Sequence, residues 1–241
     1  MRYVSIIWAA GMPAPADLAV IQRELPAWVD DVNARGIRLI GRELDLPDTG
    51  VTVRVRDGET LVTDGPFAET KEFVAGFDVD EFADRDEAIQ VAASCPISWF
   101  QAIEVRPFTG GLTLTEQALA FGRGQDGGAT PYLLGAWAAE SPTAVLDDKK
   151  LVAECESWRQ DVRARGVHVL GNELGGRDTA TTVRVRDGKT VLSDGPSGET
   201  GEFMTSIDVV SCADRQQAID LAAAHPAARY HSVEVRPFYQ G

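Results

Sequence analysis

Thr52-Val53-Arg54-Val55-Arg56-Asp57-Gly58 returns as Thr182-Val183-Arg184-Val185-Arg186-Asp187-Gly188, 130 residues further along the chain. Alternation of Val with Thr or Arg marks a strand with one apolar face, and Asp-Gly is a strong signal for a two-residue hairpin turn. Such a turn sets Arg56 opposite Glu59 and Arg54 opposite Leu61, with Val53, Val55 and Val62 on the other face. From Trp28/Trp158 to Phe108/Phe238 the same offset holds without a gap, and 41 of 81 positions are identical. The chain is therefore an internal duplication. Before Trp28 the offset is one less, since Tyr3 and Trp8 match Tyr132 and Trp137.

Within one copy, Tyr3 to Trp8 reads as a strand. Asp17 to Arg35 reads as a helix, because Leu18, Ile21, Leu25, Trp28 and Val32 recur at three- and four-residue steps and Gly36 ends the run. Ile37 to Leu44 is the next strand, followed by the hairpin, a strand over Phe73 to Val79, a helix capped by Asp84 and closed by Pro96, and a last strand over Ala102 to Phe108. Strand, helix, strand, hairpin, strand, helix, strand is an α+β order, that of a ferredoxin-like module with an added hairpin, which leaves one sheet face needing cover. The sequence predicts two tandem domains, copy one over 1–109 and copy two over 131–241. A Gly-rich linker over 110–130 joins them and contains a short helix after Thr115. The two sheets are expected to face each other as an intramolecular pseudo-dimer of the dimeric α+β barrel type, with a further homodimer left open.

Composition narrows the partners. The 241 residues carry 23 Lys and Arg against 37 Asp and Glu, a net charge of −14, and 44% are hydrophobic. So acidic a surface repels phosphate backbones and anionic lipid, which argues against nucleic acid and membrane partners. The apolar start is too short for a signal peptide or a spanning helix. Cys95, Cys155 and Cys212 are odd in number and widely spaced, which fits a reducing cytoplasm. No Gly-rich phosphate loop, nucleophile motif or helical His pair is present, so neither a cofactor nor a metal site is expected.

Several positions could carry chemistry. Asp64 and Asp194 precede Gly-Pro, where the side chain either fixes a turn or serves as a general base at the edge of a cleft. Glu69, Lys71 and Glu72 form either a solvated charged loop or a lid in which Lys71 meets a substrate carboxylate. Copy two has Gly201 in place of Lys71. Arg54, Glu104 and Arg106, with Arg184, Glu234 and Arg236, occupy polar strand faces. They form either a structural charge network or a set of arginines that grips a planar anion. His225 titrates near neutrality and is a candidate acid-base group, or else a helix-terminal histidine. Arg56 and Glu59 read as an exposed cross-strand pair that copy two loses at Lys189. The paired Trp8/Trp137 and Trp28/Trp158 read as core.

The runs Arg54-Val55-Arg56-Asp57-Gly58, Leu61-Val62-Thr63-Asp64-Gly65-Pro66-Phe67-Ala68-Glu69-Thr70-Lys71-Glu72 and Glu104-Val105-Arg106-Pro107 closely resemble the YCII-related family in its DGPF-motif branch. The resemblance spans both copies. It implies a ferredoxin-like, dimeric α+β barrel fold shared with muconolactone isomerase. It also implies a relation to proteins of aromatic-compound breakdown in which a His and an Asp are thought catalytic. His225-Pro226 matches the family's His-Pro pair, which is Cys95-Pro96 in copy one, whereas Ser197, Gly198 and Gly201 replace Phe67, Ala68 and Lys71. The resulting expectation is a small-molecule protein for an aromatic or keto-acid-like ligand, working without a cofactor, with Asp64, Asp194 and His225 as proton-transfer groups and Arg54, Lys71, Glu72, Arg106, Arg184 and Arg236 as ligand-binding groups. Because relatives occur near or fused to sigma factors, the alternative is a non-enzymatic regulatory module.

Overall fold

A computed structural model of the chain describes residues 1–65, 72–139, 148–197 and 202–240. The first copy forms β1 (Arg2–Ala9), α1 (Pro15–Ala34), β2 (Arg38–Glu43), β3 (Val51–Arg56), β4 (Glu59–Asp64), β5 (Phe73–Glu81), α2 (Arg85–Ser94) and β6 (Ala102–Pro107). After α3 (Glu116–Gly122), the second copy forms β7 (Thr130–Ala139), α4 (Asp148–Ala164), β8 (His168–Glu173), β9 (Thr181–Arg186), β10 (Lys189–Asp194), β11 (Glu202–Cys212), α5 (Arg215–Ala224), α6 (Ala227–Tyr230) and β12 (Ser232–Pro237). These are the elements the sequence predicts. The caps hold too: the side chains of Asp84 and Asp214 accept from the N–H of Glu87 and Gln217, and Thr115 accepts from the N–H of Ala118.

The strands form two six-stranded antiparallel sheets. One has the order β10-β9-β6-β1-β5-β2, the other β4-β3-β12-β7-β11-β8. Within each, the four consecutive strands β6-β1-β5-β2 and β12-β7-β11-β8 follow the ferredoxin-like order, with the last strand beside the first. The hairpins are exchanged, since β9-β10 of the second copy extend the sheet of the first and β3-β4 of the first extend the sheet of the second. The compact units accordingly draw on both copies. The first unit contains Met1–Glu43, Thr70–Gly111 and Leu174–Gly198, and the second contains Leu44–Glu69, Leu112–Glu173 and Glu199–Gly241.

Helices cover one face of each sheet. In the first unit Val32, Val91, Ala92 and Cys95 pack on Tyr3, Ile103, Val105 and Val183. In the second, Trp158, Val162, Leu221 and Ala222 pack on Val53, Tyr132, Leu134, Val233 and Val235. The strand alternation sends Glu104 and Arg106, and likewise Glu234 and Arg236, to the other face.

The exchanged hairpin turns as its sequence predicts. Asp57 and Gly58 have φ of 53° and 81°, the pair of positive values that a type I′ turn requires, and Arg56 pairs Glu59 while Arg54 pairs Leu61. Arg56, however, does not spend its charge on Glu59. Its guanidinium donates to the carbonyls of Ala228 and Arg229 at 3.0 Å each and of His231 at 3.1 Å, so it closes the exposed C-terminal end of α6. Arg186 does the same more sparingly in the first unit, donating to the carbonyl of Trp99 at 3.2 Å. The loss of a glutamate at Lys189 is tolerated because the arginine's partners are backbone carbonyls. We expect Arg56→Met to lower stability by about 1–2 kcal/mol and Arg186→Met by less, read from denaturant midpoints and from faster amide exchange along β3 and β4.

Candidate functional site

Each unit carries charge on both faces of its sheet. On the helix-free face of the first unit, Arg106 donates from Nε to Glu104 Oε1 at 2.8 Å, and its Nη2 closes on the same oxygen. Glu104 Oε2 accepts from Trp8 Nε1 at 2.9 Å and from the backbone N–H of Ser197 at 3.2 Å. Ser197 Oγ in turn donates to Glu72 at 2.7 Å, and Arg184 Nη2 donates to both Glu72 and Ser197 at 3.0 Å. The serine that replaces the motif phenylalanine in copy two thus ties a closed network in the first unit, because the hairpin exchange carries it there.

The second unit repeats the layout but not the closure. Trp137 Nε1 donates to Glu234 Oε2 at 3.1 Å, and Arg236 Nε stands 2.9 Å from Glu234 Oε1. The angle there makes no hydrogen bond, so among the described residues Arg236 Nε and Nη1, with Glu234 Oε1, have no hydrogen-bond partner although both side chains are about 1–2% exposed. Burial pulls the Arg236 guanidinium below its ordinary value, against the pull of Glu234 and Asp45. Gly50 packs over it, its position for a Cβ lying 3.5 Å from Arg236 Cγ, and the Gly65 N–H bonds the Gly50 carbonyl. Gly65, the residue after Asp64, is thereby bonded to the glycine that covers Arg236. Burial raises Glu202, at the start of β11, above the usual carboxylate range, and Arg54 opposes that rise.

On the helix face of the second unit Asp208 is fully buried. It accepts from Arg159 Nε at 2.7 Å and Nη2 at 3.0 Å and from His168 Nε2 at 2.9 Å. His225 Nε2 is 3.6 Å from its other oxygen. Arg159 also reaches Glu173 at 2.8 Å. His225 Nδ1 accepts from the Ala227 N–H, which places the imidazole proton on Nε2, and the ring lies edge-on to Trp158. Burial alone would raise the Asp208 carboxyl, but the Arg159 charge and the hydrogen bonds from His168, His225 and Arg159 hold it well below the usual range. Trp158 Nε1 lacks a partner because Ala224 stands where Ser94 accepts from Trp28 Nε1 in the first unit.

The first unit fills the same place differently. Asp78, the counterpart of Asp208, meets Arg38 Nε at 3.0 Å, and Asp80 accepts from Ser5 Oγ at 2.6 Å. Burial and the neighbouring Asp78 push Asp80 well above the ordinary carboxylate range, and burial also raises Asp78 despite Arg38. A small pocket opens here between α1, α2 and the sheet, lined by Ser5, Ile7, Trp28, Asp78, Asp80, Val91, Ala92, Cys95 and Ile103. Burial pushes the Cys95 thiol up to about 12, so it enters as a neutral wall. Gly41 is required beside Asp78, because a Cβ there would collide with Arg38 and with the carboxylate.

The predicted residues are thus divided among sites. Asp64 and Asp194 are exposed at the ends of edge strands, and Asp194 lies 3.6 Å from Arg85. Glu72 and Arg184 are joined, as are Arg106 and Glu104, whereas Lys71 lies outside the described residues. His225 is buried beneath α5 on the opposite sheet face from Arg236, so Asp64, Arg236 and His225 do not form one constellation. Asp208, Arg159, Asp78 and Asp80 were missed, although the invariance of Asp78/Asp208 and Gly41/Gly171 between the copies was readable. Among the described residues no cluster of three or more His, Cys, Asp or Glu could hold a metal, and no helix is long and apolar enough to cross a membrane.

The sequence model of the YCII-related domain matches residues 1–109 and 133–240. The chain belongs to the YCII-related family. An uncharacterized protein of Rhizobium meliloti (strain 1021) is 54% identical over 41 residues, which is 17% of this chain and 33% of that protein. The matched stretch is thus about a third of that relative's length. Two solved structures resemble the chain weakly. A candidate chlorite dismutase has a TM-score of 0.39 at 8% identity, covering 99% of this chain and 94% of its own. An anthrone oxidase-like protein has a TM-score of 0.39 at 7% identity, covering 99% and 91%.

The two buried acids make opposite forecasts. Asp208 has a depressed value, so its contribution to stability is present above the ordinary carboxylate pKa and is lost as pH falls. Asp208→Asn should cost about 3–5 kcal/mol at neutral pH, with the gap to the wild type narrowing on acidification. Asp80 has a raised value, so its contribution is present below the ordinary carboxylate pKa and is lost as pH rises through its folded value. Asp80→Asn should therefore gain on the wild type as pH rises. Urea midpoints across pH 3–8 read both.

Proposed function

We propose that this YCII-related protein binds a small oxyanionic molecule, an aromatic or keto-acid-like carboxylate or enolate, through Arg236 on the helix-free face of the second unit. The observation that carries this reading is the buried Arg236 guanidinium, whose Nε and Nη1 have no hydrogen-bond partner among the described residues. A buried donor left unpaired costs about 1–3 kcal/mol, and a guanidinium N–H makes a charge-assisted hydrogen bond to a carboxylate or enolate oxygen. In the first unit the corresponding Arg106 is closed by Glu104, and Arg184 by Glu72 and Ser197, so the spare donors are in the second unit. That unit receives the hairpin of copy one, with Arg54 and Asp64. Glu202, whose carboxyl burial raises and Arg54 lowers, is the acid of this unit that supports cofactor-free acid-base chemistry on the bound anion. His225 belongs to the buried cluster around Asp208 and has no part in this reading.

Titration of the full chain with benzoate and with pyruvate, followed by calorimetry and by thermal shift, tests the assignment. Saturable stabilisation by at least one of them is expected, with a loss of tenfold or more in affinity in Arg236→Met and a smaller loss in Glu202→Gln. No saturable response in the wild type, or an unchanged response in a folded Arg236→Met, overturns the reading.

A further inference from the structure

The two halves place an aspartate at the same point of the fold, Asp78 in the first unit and Asp208 in the second, and surround it in opposite ways. In the second unit the helix residue after Trp158 is Arg159, whose guanidinium forks onto both oxygens of Asp208 and donates onward to Glu173. In the first unit the residue after Trp28 is Val29, and no guanidinium descends from that helix. A pocket stands there instead, walled by Trp28, Cys95 and Ile103. Its lining holds Asp80, fixed by Ser5, where the second unit has Val210. Arg38, which stands where His168 stands in the other half, approaches Asp78 from the side. Two carboxyl groups therefore face a single cation of the chain's own. In the other half the protein itself occupies this place with a planar, forked cation.

We propose that the helix-side pocket of the first unit takes a small molecule bearing a guanidinium group, held by Asp78 and Asp80 as Arg159 is held by Asp208. The planar cation satisfies two carboxylate acceptors with parallel N–H bonds, and the Trp28 ring offers it an aromatic wall. Asp80, whose carboxyl burial and Asp78 push up against the pull of Arg38, gains a second cation beside it. This site is independent of the oxyanion site at Arg236, on another unit and of opposite charge.

Methylguanidinium chloride, with methylammonium chloride as comparator, provides the probe in calorimetry and in amide-shift titrations of the full chain. Saturable binding of methylguanidinium is expected, at least tenfold tighter than methylammonium, with shifts concentrated in β1, β5 and α2. Asp80→Asn, a near-isosteric change, should weaken it at least tenfold. Val29→Arg supplies the missing guanidinium from the protein and should abolish binding while raising the melting temperature. Arg236→Met should leave it intact. The inference is overturned if methylguanidinium does not bind, if methylammonium binds equally well, or if a folded Val29→Arg binds the probe as the wild type does.

Discussion

A three-residue antiparallel contact governs this molecule. Ile103, Glu104 and Val105 pair with Val183, Thr182 and Thr181, and Val233, Glu234 and Val235 pair with Val53, Thr52 and Val51. Each contact joins the last strand of one copy to the hairpin of the other, and each hairpin brings its own charges along. Arg184 reaches Glu72, and Ser197 reaches Glu104, only because β9 lies beside β6. The hairpins are fastened at further points: Arg85 donates to Thr181, and Arg215 donates to the carbonyl of Gly50 ahead of β3. Arg56 and Arg186 secure the far ends on helix-terminal carbonyls. A three-residue ladder would be marginal alone. With these side-chain bonds it fixes which copy's motif serves which unit.

The second constraint is an aspartate buried on the helix face of each sheet. A carboxylate out of water demands either a cation or a proton. The second unit supplies one cation, Arg159, and hydrogen bonds from His168 and His225, which together hold the Asp208 carboxyl well below the usual range. Among the described residues the first unit sets Arg38 beside Asp78 and adds a second acid, Asp80, and burial pushes both carboxyls up. Gly41 and Gly171 keep the neighbouring strand clear of the carboxylate in both. Duplication left the acid in place and let its surroundings diverge.

Most of the fold was legible because the deciding signals are local. Strict alternation, the Asp57-Gly58 turn, the Asp84 cap and the apolar steps of α1 each act within a few residues and were read correctly. The hairpin exchange was not legible, since a strand's partner lies elsewhere in the chain and the two copies offer it nearly identical last strands, Glu104-Val105-Arg106-Pro107 and Glu234-Val235-Arg236-Pro237. Glu104, Arg106, Glu234 and Arg236 were legible as the polar faces of β6 and β12, with a charge network and an anion grip as alternatives. The difference between a closed network at Arg106 and an open one at Arg236 turns on the angle at a single carboxylate oxygen. Asp78 and Asp80 escaped notice because acids inside an apolar strand read as surface positions until a helix is seen to cover them.

The exchange also sets a timetable for synthesis. The hairpin β3-β4 leaves the ribosome early, yet its partner β12 follows about 180 residues later, whereas β9 needs a strand, β6, that is already made. Closing the longer loop costs only about 0.7 kcal/mol more than closing the 80-residue one, so the asymmetry lies in waiting. At typical elongation rates the first hairpin stands with both edges unpaired for roughly 10 to 35 s. Leu61 and Val62, exposed even in the finished fold, are then open to neighbouring nascent chains. Glu59 and Asp64 bracket them at the two ends of β4.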